Sequence, residues 1–324
     1  MDSTPLLKAE IEVAAARIKS TAVRTPLLRS DALDEAIGGR ALIKPECLQI
    51  TGSFKFRGAM NRLAALSASE RAGGVVAFSS GNHAQGVARA ARLLGVPATI
   101  VMPADAPALK VDRTRADGAE IILYDRLHED RAAIAARLAA ERGAIVVPSF
   151  EDRHIAAGQG TAGLEVAEDL AHMGIVADLA LICCGGGGLA AGFATGSGIR
   201  TITVEPQGYD DVALSLASGQ IVPVENPGPT RCDALQTLRM GDFTFATLAS
   251  LGARGVAVSE SEVVRAMAFA FRELKLVVEP GGAVALAAAL SGTVDLQGRT
   301  AVIMLSGGNV DAATFAACLA EASA

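Results

Sequence analysis

One lysine in this chain has neighbours that an ordinary surface lysine does not need. In Thr51-Gly52-Ser53-Phe54-Lys55-Phe56-Arg57-Gly58, Lys55 stands between two phenylalanines, after a small-residue turn and before a helical pattern carried by Ala59, Met60 and Leu63. The plain reading is a solvated lysine at a helix start. The chemical reading is an amine desolvated by Phe54 and Phe56, with a lowered pKa, able to form a Schiff base with a carbonyl. A second stretch, Cys184-Gly185-Gly186-Gly187-Gly188-Leu189, sets four glycines between an apolar run and a helical one. Without β-carbons, successive N–H groups can converge on one anion, and the helix N-terminus adds partial positive charge. A glycine-rich tight turn is the alternative, although four glycines weaken a fold unless something occupies the turn. No lysine follows the run, which argues against a P-loop, and only the distance to Glu205 keeps a dinucleotide site in play. A compact phosphate is the expected ligand.

Two further turns follow apolar runs. Phe78-Ser79-Ser80-Gly81-Asn82-His83 offers amides and small side chains for a carboxylate, with Asn82 able to bond a ring oxygen. His83 could be a general base, but a histidine at a helix start is more often structural. In Leu305-Ser306-Gly307-Gly308-Asn309, Ser306 could hydrogen-bond a buried heterocyclic nitrogen or simply cap the turn.

The elements that must position these turns alternate. Strands are expected at Ala41–Pro45, Val75–Phe78, Ala98–Met102, Glu120–Tyr124, Ala144–Val147, Leu179–Cys184, Ile202–Val204 and Ala301–Leu305. Helices are expected from Pro5 (capped by Thr4) to Lys19, and over 32–37, 84–94, 107–116, 131–142, 158–173, 260–274 and 283–290. Short apolar strands alternating with helices make an α/β protein with parallel sheets covered on both faces.

Composition excludes several classes. With 29 basic and 35 acidic residues the net charge is −6, so nothing favours a nucleic-acid partner. No long uncharged apolar run suggests a membrane span, and the start has no signal pattern. The five cysteines lack metal-ligand spacing and read as small buried residues of a cytoplasmic protein.

Taken together, the four turns resemble one family: the fold-type II pyridoxal-phosphate enzymes, and within them the serine/threonine dehydratase and serine racemase group. The match runs from about Arg24 to Asp311 and keeps the motifs in order. The resemblance implies a tryptophan-synthase-β-like fold of two domains, 1–66 with 149–324 binding the cofactor and 67–148 carrying the substrate loop. It implies that Lys55 holds pyridoxal 5′-phosphate and takes the substrate's Cα proton. Phe54 belongs to the same cofactor motif, Gly185, Gly186, Gly187, Gly188 and Leu189 bind the phosphate, Asn82 meets the 3′-oxygen and Ser306 the ring nitrogen. Ser79, Ser80, Gly81, Asn82, His83 and Thr237 would line the substrate. Ser80 is the second catalytic candidate beside Lys55: it stands where plain threonine dehydratases carry alanine and where racemases and hydroxyaspartate dehydratases carry a serine facing the lysine, placed to act on the opposite face of the substrate. Glu205-Pro206-Gln207-Gly208-Tyr209-Asp210-Asp211 resembles the racemase group's cation loop. There Glu205, Asp211 and the Tyr209 carbonyl would hold Mg²⁺ or Ca²⁺, a solvated acidic turn being the plain alternative. The chain's end soon after Ser306 implies no regulatory domain.

The expected function is a dehydratase that releases ammonia from a small β-hydroxy amino acid such as L-threonine or L-serine, working as a homodimer. A serine racemase with side elimination, or a hydroxyaspartate dehydratase, is the alternative on the same fold. Ala234 and Leu235 depart from the group's usual Gly-Val, which leaves substrate choice unsettled; Arg126, Arg231 and Arg239 are the cations considered for a β-carboxylate. A nucleotide-dependent dehydrogenase and a non-catalytic amino-acid-binding or cofactor-carrying protein are the rivals from other classes.

Overall fold

The structure, a computed structural model, describes residues 4–79, 81–106 and 108–322; Ser80 and Pro107 therefore lie outside the described residues. Its strands are β1 (Arg40–Pro45), β2 (Val75–Phe78), β3 (Ala98–Pro103), β4 (Glu120–Tyr124), β5 (Ile145–Val146), β6 (Leu179–Cys183), β7 (Thr201–Pro206), β8 (Arg254–Val258) and β9 (Thr300–Leu305). They form two sheets, of order β1-β9-β6-β7-β8 and β4-β3-β2-β5. Every strand pair within the sheets is parallel.

Alternation along each strand divides the larger core in two. Ala41, Ile43, Leu181, Ala301 and Ile303 pack with the helices Glu260–Phe269 and Pro280–Leu290 on one face. Leu42, Ala180, Ile182, Val302 and Met304 pack with the helices Arg153–Met173 and Gly188–Ser197 on the other. Period-two side chains on a doubly covered sheet require this arrangement. The last two helices touch so closely that a β-carbon on Gly192 would lie 2.2 Å from the Ala156 carbonyl oxygen. That contact clamps the helix whose first turn carries the glycine run.

The expected first helix is shorter than its pattern. It spans Lys8–Ile18 and begins at Leu7, with no capping role for Thr4. Arg153 explains the delay: its guanidinium donates to the Thr4 and Pro5 carbonyls, and also to Glu10, so the leading residues are drawn aside. The helix expected over 260–274 changes character at Ala270, where its last turn widens to π geometry before Lys275 adopts a left-handed conformation.

Candidate active site

Parallel sheets place their loops at the carboxyl ends of strands, where α/β proteins bind ligands. Here the loops after β2, β6 and β9 and the Lys55 segment surround one cavity of about 660 Å³. Phe54, Lys55, Ser79, Gly81, Asn82, His83, Gly185, Gly186, Gly187, Gly188, Leu189, Thr237 and Ser306 all line it. Ser80 lies outside the described residues.

The Lys55 and Ser306 segments are tied to each other. Ser53 and Gly307 form an antiparallel bridge, Phe54 N–H donates to the Ser306 carbonyl (3.1 Å) and Gly308 N–H to the Gly52 carbonyl (2.9 Å). Lys55 opens the helix Lys55–Ala64, and its Nζ donates to the Ser149 carbonyl at 2.9 Å. Burial lowers its pKa to about 8, against the opposing pull of the Glu279 carboxylate. The amine lies 5.2 Å from the centre of the Phe54 ring. Phe56 does not share that role: it is fully buried in the core with Met60, Leu63 and Val87, and does not line the cavity. Successive helical residues diverge by about 100°, so the two phenylalanines cannot both flank the lysine. Arg57 anchors the same helix turn from behind, bonding Glu46 and Glu165, each at 2.7 Å, while fully buried.

The glycines are required by shape. Gly187 has φ +92°, and a β-carbon there would stand 2.8 Å from Thr244 Oγ1; at Gly186 it would stand 2.4 Å from the Phe150 ring. Directly after this turn comes the helix Gly188–Ser197, whose first-turn N–H groups have no partners within the helix. Helix N-terminal amides beside a half-buried amine, with Ser306 at the cavity wall, suit a phosphorylated carbonyl compound with a ring acceptor.

His83 lines the cavity but is held by the backbone rather than poised as a base. Its Nε2 lies 3.0 Å from the Val147 carbonyl oxygen, which can only accept, so Nε2 carries the proton. Burial, with Lys55 adding, pushes its pKa down to about 3, leaving it neutral. Glu205 likewise cannot serve a ribose: it is fully buried and accepts from Val212 N–H (3.1 Å) and Ala213 N–H (2.8 Å). The dinucleotide reading loses its acid.

Glu205 and Asp211 do come together. Both are buried, and neither Asp211 carboxylate oxygen has a hydrogen-bond partner among the described residues. Burial, and then Asp211, pushes the Glu205 pKa well up; burial raises that of Asp211 to about 6. Among the described residues no three His, Cys, Asp or Glu side chains gather as a metal site. Tyr209 lines the main cavity, and its hydroxyl donates to the Gly228 carbonyl.

Of the arginines considered for a β-carboxylate, Arg239 is paired with Asp242, and Arg231 is paired with Glu321 beside a different, smaller cavity. Arg126 lines the main cavity and pairs with Asp105. Sequence reasoning missed Arg131, which also lines it and whose guanidinium sits 5.6 Å from the centre of the Phe78 ring, with no hydrogen bond or ion pair among the described residues. It also missed Glu279. That residue precedes Pro280 at the first position of a helix, a recognisable cap position.

Fold and site define an α/β enzyme working at the carboxyl ends of two parallel sheets. Residues 18–307 match the family model described as pyridoxal-phosphate dependent enzyme, and the chain belongs to that family. It is 42% identical to the L-threo-3-hydroxyaspartate ammonia-lyase of Saccharomyces cerevisiae, across 94% of this chain and 93% of that protein. It is 36% identical to the serine racemase of Schizosaccharomyces pombe, across 96% and 97%. Among solved structures it superposes on maize serine racemase with TM-score 0.91 (36% identity, 98% of both chains). The threonine deaminase of T.th. gives TM-score 0.88 (42% identity, 94% of this chain and 98% of that one). The family's cofactor is thus pyridoxal phosphate, and the expected fold-type II architecture holds.

Proposed function

We propose that the chain is a pyridoxal-phosphate-dependent ammonia-lyase that eliminates water from a small β-hydroxy amino acid; the released enamine then takes up one water and gives a 2-oxo acid and ammonia. The observation that carries this reading is the half-buried Lys55 amine, its pKa depressed, facing the same cavity as the glycine turn and Ser306. When bound, the cofactor supplies an electron sink for the bond electrons released at the substrate's Cα. Lys55 attaches the cofactor and later holds the Cα proton at Nζ; its depressed pKa keeps a useful fraction of free amine near neutral pH. The Gly185–Leu189 turn binds phosphate, Asn82 and Ser306 orient the ring, and Ser79, Gly81 and Thr237 face the substrate. Ser306 offers a hydroxyl where an acid would force the ring nitrogen to keep a proton, which suits departure of a β-hydroxyl over a long-lived carbanion. In this reading residues 67–148 form a small domain that brings the carboxylate loop, and the enzyme is a cytoplasmic homodimer. No helix among the described residues is long and apolar enough to cross a membrane. The test is to supply L-serine, L-threonine and L-threo-3-hydroxyaspartate and measure 2-oxo acid and ammonia; no product from any of them overturns the proposal.

A substrate with a second carboxylate is favoured by Arg131, the cavity arginine left without a charged partner among the described residues. Arg131→Gln is expected to raise KM for hydroxyaspartate about tenfold, the worth of one charge-assisted hydrogen bond, and to leave that for L-serine nearly unaltered. An equal effect on both substrates would remove Arg131 from β-carboxylate recognition.

We also propose that Glu205 and Asp211 hold a divalent cation, with the Tyr209 carbonyl as a third ligand. Two buried carboxylates, one with both oxygens unpartnered, repel each other unless one takes a proton or a cation lies between them, and the cation serves the unpartnered oxygens of Asp211 as well. Oxygen ligands fit Mg²⁺ or Ca²⁺. Chelation is expected to lower Tm and either ion to restore it, a hundredfold excess over Kd being worth about 2.7 kcal/mol. The Asp211→Ala variant should not respond, and a parent melting curve indifferent to chelator and ion would count against the site.

A further inference from the structure

Glu279 has no part in the chemistry so far. It occupies the N-cap of the helix Pro280–Leu290, yet its side chain makes no cap bond and instead lines the cavity. Its Oε1 accepts from Asn82 Nδ2, while Oε2 is buried with no partner among the described residues. Asn82 is held in this orientation from behind. Asn309 Nδ2 donates to Asn82 Oδ1 and to the Thr51 carbonyl, both at 2.7 Å, and Arg113 donates to Asn309 Oδ1 at 3.0 Å. With Asn82 Oδ1 already used as an acceptor, the amide side faces Glu279. Space for the carboxyl is kept by Gly307, where a β-carbon would lie 2.2 Å from Oε1.

The charges around Glu279 come from three other elements: Lys55, Lys110 on the helix Ala108–Ala116, and Asp233. Burial first, and then Asp233, lifts the Glu279 pKa from an ordinary 4.5 to about 7, while Lys110, Asn82 and Lys55 pull it down. A buried carboxylate oxygen without a donor is costly to keep ionised, whereas the same oxygen carrying a proton becomes a donor itself.

We propose that Glu279 works as a carboxylic acid, with Oε1 fixed by Asn82 and a proton on Oε2 that is donated to an oxygen of the group bound in the cavity. It is a positioning residue with a second effect on the lysine. Once Glu279 is neutral, Lys55 loses the negative charge that favours its ammonium form, and the free amine becomes easier to reach. The acceptor's identity rests on the pyridoxal-phosphate reading of the site; the protonation state of Glu279 does not.

Two variants separate the possibilities. Glu279→Gln keeps the shape and replaces O–H by N–H; Glu279→Ala removes the donor. In absorbance titrations with pyridoxal phosphate, the Gln variant is expected to bind within about twofold of the parent and the Ala variant about tenfold more weakly. The cofactor-free proteins give a second readout in Tm against pH. A carboxyl whose folded pKa is raised stabilises most below its unfolded value and loses that contribution as pH rises through the folded one. The Tm of the parent minus that of Glu279→Gln should therefore fall between about pH 4.5 and pH 7. A Gln variant as weak as Ala would mean that the ionised form binds, and an Ala variant equal to the parent would mean no bond at all. A Tm difference flat with pH would mean no proton is held; each of these overturns the proposal. If the parent itself binds no pyridoxal phosphate, the cofactor reading fails and the Tm comparison still decides the state of Glu279.

Discussion

Lys55→Ala is expected to lose turnover by at least about a thousandfold, the combined worth of covalent attachment and a positioned proton acceptor. It should also lose the cofactor's borohydride-reducible attachment to the protein. The fold should survive. Lys55 is the first residue of its helix, its amine has a single hydrogen bond, to the Ser149 carbonyl, and alanine is the best helix former. Removing a half-buried amine also relieves its desolvation cost, so Tm should barely move. In the parent, the rate of cofactor attachment should climb with pH through about 8 as the amine loses its proton. The one result that would sink the assignment is full activity in the variant, with a reducible adduct on another lysine. Lys110 is the lysine to check, because it lines the same cavity; its pairing with Asp233 argues that it will not substitute.

Gly187→Val should weaken pyridoxal-phosphate binding by about a hundredfold or more, measured by titration of the apoprotein. Two costs add. A β-branched residue held at φ +92° carries strain on the order of 1–3 kcal/mol. Its β-carbon would also press on Thr244, which bonds the Gly186 carbonyl and so fixes the turn. Moving the turn would break the charge-assisted hydrogen bonds to phosphate that the proposed site makes, each worth roughly 1.5–3 kcal/mol. Gly186→Val should behave similarly through its collision with Phe150, whereas Gly188→Ala, whose nearest contact would be 3.0 Å, should be milder. A Gly187→Val protein that holds the cofactor as tightly as the parent would mean the phosphate sits elsewhere.

Local pattern makes much of this legible. β4 and the helix Arg131–Arg142 fall where the apolar alternation puts them, because each is a strong run ended by polar or glycine residues. The strand Arg254–Val258 gives no such signal, being short and interrupted by Gly255, and its partner β7 is what stabilises it. The helix Asp211–Ser218 is masked in the sequence by its acidic first turn, which reads as a loop. In the site, each glycine or serine turn announces itself because its backbone chemistry is local. Arg131 and Glu279 do not, since their meaning lies in which cavity they enter, and that depends on packing between elements far apart in sequence. Phe56 shows the converse error. Adjacency in sequence suggests a shared role that the helical turn forbids.

The strand order has a consequence for how the protein is made. β9 lies between β1 and β6, so the strand Arg40–Pro45 has no sheet neighbour until residues 300–305 leave the ribosome. Five of its six residues are buried in the finished fold, and they include Ala41, Leu42 and Ile43. At ordinary elongation rates this sticky segment waits roughly ten seconds to a minute for its partner. During that interval the nascent chain depends on holdases, or on temporary shelter against its own early helices. A stalled ribosome that never delivers β9 leaves a chain whose Lys55 has been translated but has no pocket.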